Sequence, residues 1–384
     1  MLIAIQGIGV LGGFGCGMAD FKRALSGRKI LPGKYLLNVE NKRIEVPAFL
    51  VDTSPIKSFY KKRELRRIDH YSKMALLGAR LALEDARISN PMPEIDRQKM
   101  GIIIATGYGA VRTSCDFLDS LINDGDICAS PLLFSNSVHN AAASHLSIFL
   151  KAAGPNLTVS QFEMSVSLAF LCARQWLEEK RVDSVLLGGV DIYSDLLGYC
   201  YYRFFSQGIK KRDLHLASVI KPFDFNRQSA VAGEGAVFFL LTRCKRDDPK
   251  YGFINYAQIG NSMIKNSGFS ENALLIIGSD GHKECGRHYM QQISLHPRAA
   301  AYTSLYGSFP ASHGFDIAVA ALSLKERKIF ILPECTKGIN PAIKFGKDKD
   351  FGLSQIYCLK FGRAGEFGLV GIGRERDKTE FVNL

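Results

Sequence analysis

Glu163 sits two positions ahead of Ser165 to Lys180, a segment with helical spacing that is apolar on every side through Phe170. A carboxylate at the start of such a helix can accept backbone N–H groups and is favoured by the helix dipole. Two glycine turns hold further polar groups: Gly278-Ser279-Asp280-Gly281 follows an apolar run, and Gly307-Ser308-Phe309-Pro310 leads to Gly314. His282 and His313 lie beside these turns, and a lone histidine is more often structural than catalytic. The nine cysteines are scattered, with no CxxC and no metal-like pairing with histidine. Neither a metal centre nor a cofactor is expected, and the odd count suits reduced thiols in a cytoplasmic setting.

These groups need a scaffold, and the hydrophobic pattern supplies one. Ile3 to Val10 reads as a strand running into Gly12-Gly13, and Ile68 to Ala86 as an amphipathic helix. The runs Gly101 to Gly107 and Val182 to Gly189 read as strands buried on both faces. Between them, Ser137 to Ala152 and Ser165 to Lys180 read as helices, separated by a Gly154-Pro155-Asn156 turn and the short strand Leu157 to Ser160. A helix apolar all round is usually central in a protein. Strand character resumes at Val231 and ends near the charged stretch Arg243 to Lys250, where the main boundary falls. The remainder repeats the plan in shorter form: strands Ile254 to Ile259 and Leu274 to Gly278, helix Phe315 to Lys325, and two strands around Gln355 to Leu359 and Gly368 to Ile372.

Of 384 residues, 47% are hydrophobic, enough for one large core or two fused ones, which excludes a disordered chain. Met1 to Gly17 is apolar but lacks a basic leader and carries six glycines, so it reads as strand and turn, not as a signal helix. No long uninterrupted apolar run suggests a transmembrane span. The net charge of +12 implies an acidic partner or an anionic surface. Nucleic acid is not favoured, because no finger spacing or aromatic-basic pattern accompanies the charge. The basic clusters are Lys61-Lys62-Arg63 with Arg66-Arg67, and Lys210-Lys211-Arg212; each is either a solvated face or a docking site for an acidic protein.

Five separated segments, in order and spanning nearly the whole chain, resemble the β-ketoacyl-acyl-carrier-protein synthases of type II fatty-acid and polyketide systems. They are Ile5-Gln-Gly-Ile-Gly-Val-Leu-Gly, Arg67-Ile-Asp-His with the helix after it, Gly154-Pro-Asn-Leu-Thr-Val-Ser, Lys221-Pro-Phe-Asp-Phe-Asn-Arg with Val231-Ala-Gly-Glu-Gly-Ala, and Phe361-Gly through Gly368. The fourth is the most specific block. The resemblance implies an α/β, thiolase-like fold in five layers, α-β-α-β-α, made of two fused similar halves. These would be residues 1–247 and a shortened 248–384.

The same resemblance implies a lost active site. That chemistry needs a thiolate at the start of a buried helix, an oxyanion hole of N–H groups, and two histidines. Here Glu163 stands at the cysteine position, and Asp280 and Ser308 stand at the histidine positions. The lysine before the second histidine is Thr303, and the gating phenylalanine is Arg363. The interval between Ile259 and Leu274 is also shorter than in a full synthase. The pattern is similar to the chain-length factor, the inactive subunit that pairs with a working ketosynthase, although such factors usually carry glutamine where this chain has Glu163. Tunnel residues would lie at Tyr108 and along Leu132 to Asn136, notably Leu133 and Phe134, with ordinary core packing as the competing reading. The implied partners are a catalytic ketosynthase in a heterodimer and an acyl carrier protein on the basic surface. A malonyl-carrier decarboxylase or a carrier-docking module are the alternatives.

Overall fold

The computed structural model describes residues 2–27, 29–39, 42–88, 94–206, 219–244, 249–261, 273–296, 298–330 and 353–375. The Lys210-Lys211-Arg212 cluster and most of the short interval before Leu274 lie outside the described residues. The chain opens with β1 (Leu2–Gly12), β2 (Gly15–Cys16) and α1 (Met18–Leu25), then a separate hairpin of β3 (Gly33–Val39) and β4 (Lys42–Ala48). There follow α2 (His70–Asp85), α3 (Glu94–Gln98), β5 (Met100–Thr106), α4 (Val111–Asp124), α5 (Pro131–Asn136), α6 (Ala141–Leu150) and β6 (Asn156–Ser160). Next come α7 (Ser165–Glu178), β7 (Ser184–Asp191), α8 (Asp195–Ser206) and β8 (Gly235–Cys244). The remaining elements are β9 (Phe253–Gly260), β10 (Leu274–Ile277), α9 (Lys283–Leu295), β11 (Ala299–Ala300), α10 (His313–Glu326), β12 (Gln355–Phe361) and β13 (Phe367–Gly373).

The strands form one sheet ordered β11-β10-β12-β13-β9-β1-β8-β7-β5-β6. Its two quintets follow one rule. From β1 outward the pairings through β8, β7, β5 and β6 run antiparallel, antiparallel, parallel, parallel. From β9 outward through β13, β12, β10 and β11 they run the same way. Among the described residues the quintets pair along the sheet through a short β1–β9 contact, at Ile3↔Ile254 and Ala4↔Phe253. Helices α7 and α10 each touch strands of both quintets, α2 and α6 cover the outer face of the first, and α9 lies on the second. This is the five-layered thiolase-type arrangement, and the apolar periphery of Ser165 to Phe170 places α7 in its middle layer.

Close approach of the outer layer depends on missing side chains. A Cβ on Gly9 would lie 2.1 Å from the Gly78 carbonyl oxygen, so α2 can rest on β1 only because β1 has no side chain there. Asp69 caps α2 by accepting from the Ser72 N–H at 3.1 Å.

Three expectations are corrected. The helix expected from Ser137 starts at Ala141, because residues 137–140 form a turn that presents His139 to Gly109. The strand expected from Val231 starts at Gly235. Ala232 and Gly233 instead bridge to Ser308 and Phe49, and the Glu234 carboxylate accepts from the Val51 and Tyr193 N–H groups at 2.9 Å. The charged stretch does not begin a linker at Arg243, because β8 runs on to Cys244 and Arg243 is paired with Asp183.

Candidate functional site

The chain leaving β6 makes a tight turn before α7. Phe162 adopts a left-handed backbone, with φ of 43°, and leads into a single 3-10 turn, Phe162–Met164, that contains Glu163. Such a conformation is rare for a bulky L-residue and marks a position that the surroundings must hold in place. Ser165 secures the turn: its hydroxyl accepts from the Gln161 N–H at 2.7 Å and lies 2.9 Å from the Thr106 carbonyl. Glu163 is half-buried, and among the described residues no group donates a hydrogen bond to its carboxylate. The expected cap is therefore not formed. Met164 occupies the cap position of α7 without a side-chain bond, and the serine two residues on does the local tying.

Asp280 and Ser308, 28 residues apart, meet: the Ser308 hydroxyl donates to Asp280 Oδ2 at 2.8 Å. Lys360 reaches the same oxygen from β12 at 2.8 Å and also donates to the Gly278 carbonyl at 2.9 Å. Tyr201, from α8, donates to Ser308 Oγ at 3.1 Å and lies 3.4 Å from His282 Nε2. Gln228 stands 3.4 Å from the other ring nitrogen of His282. Thr303 Oγ1 donates to the Ser279 carbonyl at 2.5 Å. The two turns that would carry a condensing site's histidines are thus tied to each other and to β12.

The charges follow from the packing. Burial works against ionising Asp280, but the Lys360 charge, His282 and the two hydrogen bonds outweigh it and hold the carboxyl well below its usual range. Burial likewise opposes the Lys360 charge, and Asp280 more than compensates, so the ammonium is held above the ordinary lysine value. Burial lowers His282 below the ordinary imidazole value, against the opposite pull of the Asp280 carboxylate. Burial raises the Tyr108 phenol well above its ordinary value, with Tyr201, Asp191, Glu163 and Asp280 acting the same way. Burial pushes the Cys285 thiol up to about 12, so it is no thiolate.

The sites expected from sequence divide into two places. Tyr108, Glu163, Asp280 and Ser308 share one electrostatic neighbourhood, and Arg363 borders it, exposed, with its guanidinium 5.1 Å over the Phe204 ring and 3.8 Å from Glu284. Leu132 and Leu133 belong elsewhere, in a surface cleft with Arg66, Arg67 and Arg112, and Phe134 is 60% exposed with its ring 5.5 Å from Phe117. Exposure on that scale excludes core packing for Phe134. His313 is fully buried at the head of α10, 3.7 Å from Asp316, and shares no hydrogen bond with the Asp280 network among the described residues. Lys360 and Tyr201 were missed from sequence. The one available signal was a lysine inside an otherwise apolar strand, which requires a buried partner.

Asp191 anchors the turn that carries Tyr108. Its fully buried carboxylate accepts from Thr106 Oγ1 (2.7 Å) and the N–H groups of Gly107 (2.9 Å), Tyr108 (2.9 Å) and Ala311 (2.7 Å). Among the described residues no His, Cys, Asp and Glu cluster could hold a metal ion, and no helix is long and apolar enough to cross a membrane.

The architecture is the thiolase-like fold of the ketosynthases. Residues 43–246, more than half of the chain, match the family model "Beta-ketoacyl synthase, N-terminal domain", and the chain belongs to that family. It is 29% identical over 175 residues to the chloroplastic 3-oxoacyl-[acyl-carrier-protein] synthase I of Arabidopsis thaliana, covering 44% of this chain and 36% of that protein. It is 27% identical over 318 residues to a putative polyketide β-ketoacyl synthase 1 of Streptomyces virginiae, covering 80% and 72%. The match to the plant enzyme thus spans little more than a third of that relative's length. Among solved structures, the ishigamide ketosynthase/chain length factor superposes with a TM-score of 0.76 at 15% identity, over 97% of this chain and 99% of that one. A ketosynthase in complex with its chain length factor from Xenorhabdus doucetiae gives 0.74 at 16% identity, over 97% and 98%. At these identities the likeness concerns the fold.

Proposed function

We propose that this chain is a non-catalytic ketosynthase-like subunit, a chain-length factor, that pairs with an active β-ketoacyl-acyl-carrier-protein synthase. In that pairing it shapes the partner's acyl tunnel in type II polyketide, polyene or fatty-acid synthesis, in the cytoplasm. The observation that carries this reading is the Asp280–Ser308–Lys360 network. The two positions that would stabilise a decarboxylated extender hold a carboxylate and a hydroxyl bonded to each other, and a buried ammonium closes the arrangement. Glu163 supplies no thiolate to carry an acyl group. The pairing is supported by the two solved structures described above, in which a ketosynthase stands with a chain length factor.

A dead protomer retains a function in such a dimer because a large shared face lets each subunit contribute to the other's cavity. The exposed run Lys61-Lys62-Arg63 is the proposed docking place for the acidic carrier. Coexpression with a ketosynthase encoded beside this chain tests the reading. A tight 1:1 complex, with no condensing activity from this chain alone, is the expected result, and a stable homodimer that elongates acyl carriers overturns it. Carbon dioxide release from malonyl carrier protein by the isolated chain, lost in Glu163→Ala, would instead establish the decarboxylase.

A further inference from the structure

Helix α2 carries a cation on its buried face. Arg80 stands one turn after Leu76 and one turn before Leu83, both buried, and is itself only 5% exposed. Its guanidinium lies 5.7 Å over the ring of Phe59, and the ring of the next residue, Tyr60, packs edge-on against Phe149 of α6 at 5.0 Å. Both aromatic residues are positioned by the 3-10 turn Ser54–Ser58: the Ile56 carbonyl accepts from the Phe59 N–H at 3.0 Å and the Tyr60 N–H at 3.1 Å. Phe59, Tyr60 and Phe149 pack against the core cluster to which α2 contributes Leu76 and Leu83.

Two donors meet among these elements without a protein acceptor. Among the described residues Arg80 makes no hydrogen bond and no ion pair, its Nε–H is buried without a partner, and so is the Tyr60 hydroxyl. Burial pushes the Tyr60 phenol up to about 12, with the Arg80 charge pulling against it and Glu64 acting with it, so the hydroxyl keeps its proton. The carboxylates at hand do not answer the cation. Glu64 accepts from the Lys61 N–H at 2.6 Å, Glu84, one turn on from Arg80, is exposed, and neither lies within ion-pair distance of the guanidinium. The residues that follow Tyr60, Lys61-Lys62-Arg63, are exposed and add positive charge. A contact with one ring face returns only part of what desolvating a guanidinium costs, and buried cations are held where they are paired.

We propose that Arg80 and Tyr60 form an anion site in the outer layer, which takes one small oxyanion of phosphate or carboxylate chemistry. An edge of the guanidinium presents two parallel N–H donors that match two oxygens of such an anion, and the Tyr60 hydroxyl donates to the same group. The positive run Lys61-Lys62-Arg63 draws the anion in. Once bound, the anion ties the Phe59–Tyr60 segment, and with it the start of that run, to α2. The site shares no residue with the Asp280–Ser308–Lys360 network, and it stands whether or not the chain pairs with a ketosynthase.

The test follows thermal unfolding while sodium phosphate, or in a second series sodium acetate, replaces sodium chloride at constant ionic strength. The chains compared are the wild type, Arg80→Met, Tyr60→Phe and Glu64→Gln. The wild type should gain stability saturably, with half the rise at roughly millimolar anion. Arg80→Met should show no saturable rise, and Tyr60→Phe should need about tenfold more anion. A response to phosphate alone supports the site as one for phosphate groups, and a response to both anions supports it for carboxylates as well. Equal rises in the wild type and Arg80→Met mark a general salt effect and overturn the proposal. A wild type without an anion response, losing as much stability in Glu64→Gln as in Arg80→Met, also overturns it and makes Glu64 the counter-charge. Calorimetric titration of each anion into the wild type decides the matter without any Arg80 variant: a saturable heat is expected, and no such heat from either anion sinks the site.

Discussion

At the scale of residues, Lys360 is the informative discovery, because its side chain is only 2% exposed and its charge is answered by Asp280. Removing one partner of such a pair leaves the other buried and uncompensated, at a cost of roughly 3–5 kcal/mol. Lys360→Met should therefore lose about that much stability in urea unfolding, and Lys360→Met/Asp280→Leu should regain most of it; equal losses in single and double variants would mean the pair is not coupled. Two buried carboxyls set opposite pH dependences. Asp280 has a folded pKa below its unfolded value, so its contribution is present above about pH 4 and is lost as the pH falls toward the folded value. Asp191 is raised by burial to about 6, against the hydrogen bonds it accepts. Its folded state binds the proton more tightly, so this group's contribution is full below about pH 4 and declines as the pH rises to 6. Asp191→Asn should flatten the unfolding free energy between those values, and an unchanged slope would deny Asp191 that role. The sequence singled out Asp280 and Ser308 through their glycine turns and Glu163 by counting on from Thr158-Val159-Ser160, and the meeting of Asp280 with Ser308 is what the structure adds. Lys360 was not legible, because its partner lies 80 residues away and no local period reports such a contact.

At the scale of elements, periodicity sufficed wherever burial was complete. The all-apolar start of α7 and the buried strands β5 and β7 stand near where the pattern put them. The β3–β4 hairpin, α4, α8 and α9 were unassigned, being elements of mixed burial whose patterns are set by one-sided contacts rather than by a continuous core. The start of β8 shifted for a reason no propensity contains: the Glu234 carboxylate draws residues 51 and 193 onto the chain just before the strand. The junction of α2 with β1 makes a sharp test of the layering. Gly9→Ala puts a methyl 2.1 Å from the Gly78 carbonyl, a main-chain atom that moves only with its helix. Overpacking of this kind costs about 1–3 kcal/mol or more, so a lower thermal midpoint with loss of α2 amide protection is expected. A variant as stable as the wild type would mean that α2 does not rest on β1 so closely.

At the scale of the whole molecule, the two quintets share one pairing rule and each sends one helix, α7 or α10, into the shared middle layer. We propose on that basis that the halves are residues 1–247 and 248–384, dividing between β8 and β9. Such a scaffold separates two tasks within one protomer. The interior neighbourhood of Glu163, Asp280 and Lys360 is tied internally, whereas Leu133 and Phe134 stand on the outer face, where a second subunit would bury them. On the proposed reading, control of product length by this chain would act first at the face that carries Phe134. In the complex with a ketosynthase, Phe134→Ala opens space where the partner's tunnel would end, so products should lengthen while the rate of the first condensation is kept. Tyr108→Ala, beside Glu163 and half-buried, should lengthen products only if the tunnel reaches inward to that site. Product masses from the two variants separate the alternatives: lengthening by Phe134→Ala alone ends the tunnel at the α5 face, lengthening by both carries it through to Tyr108, and unchanged products from both remove this chain from length control.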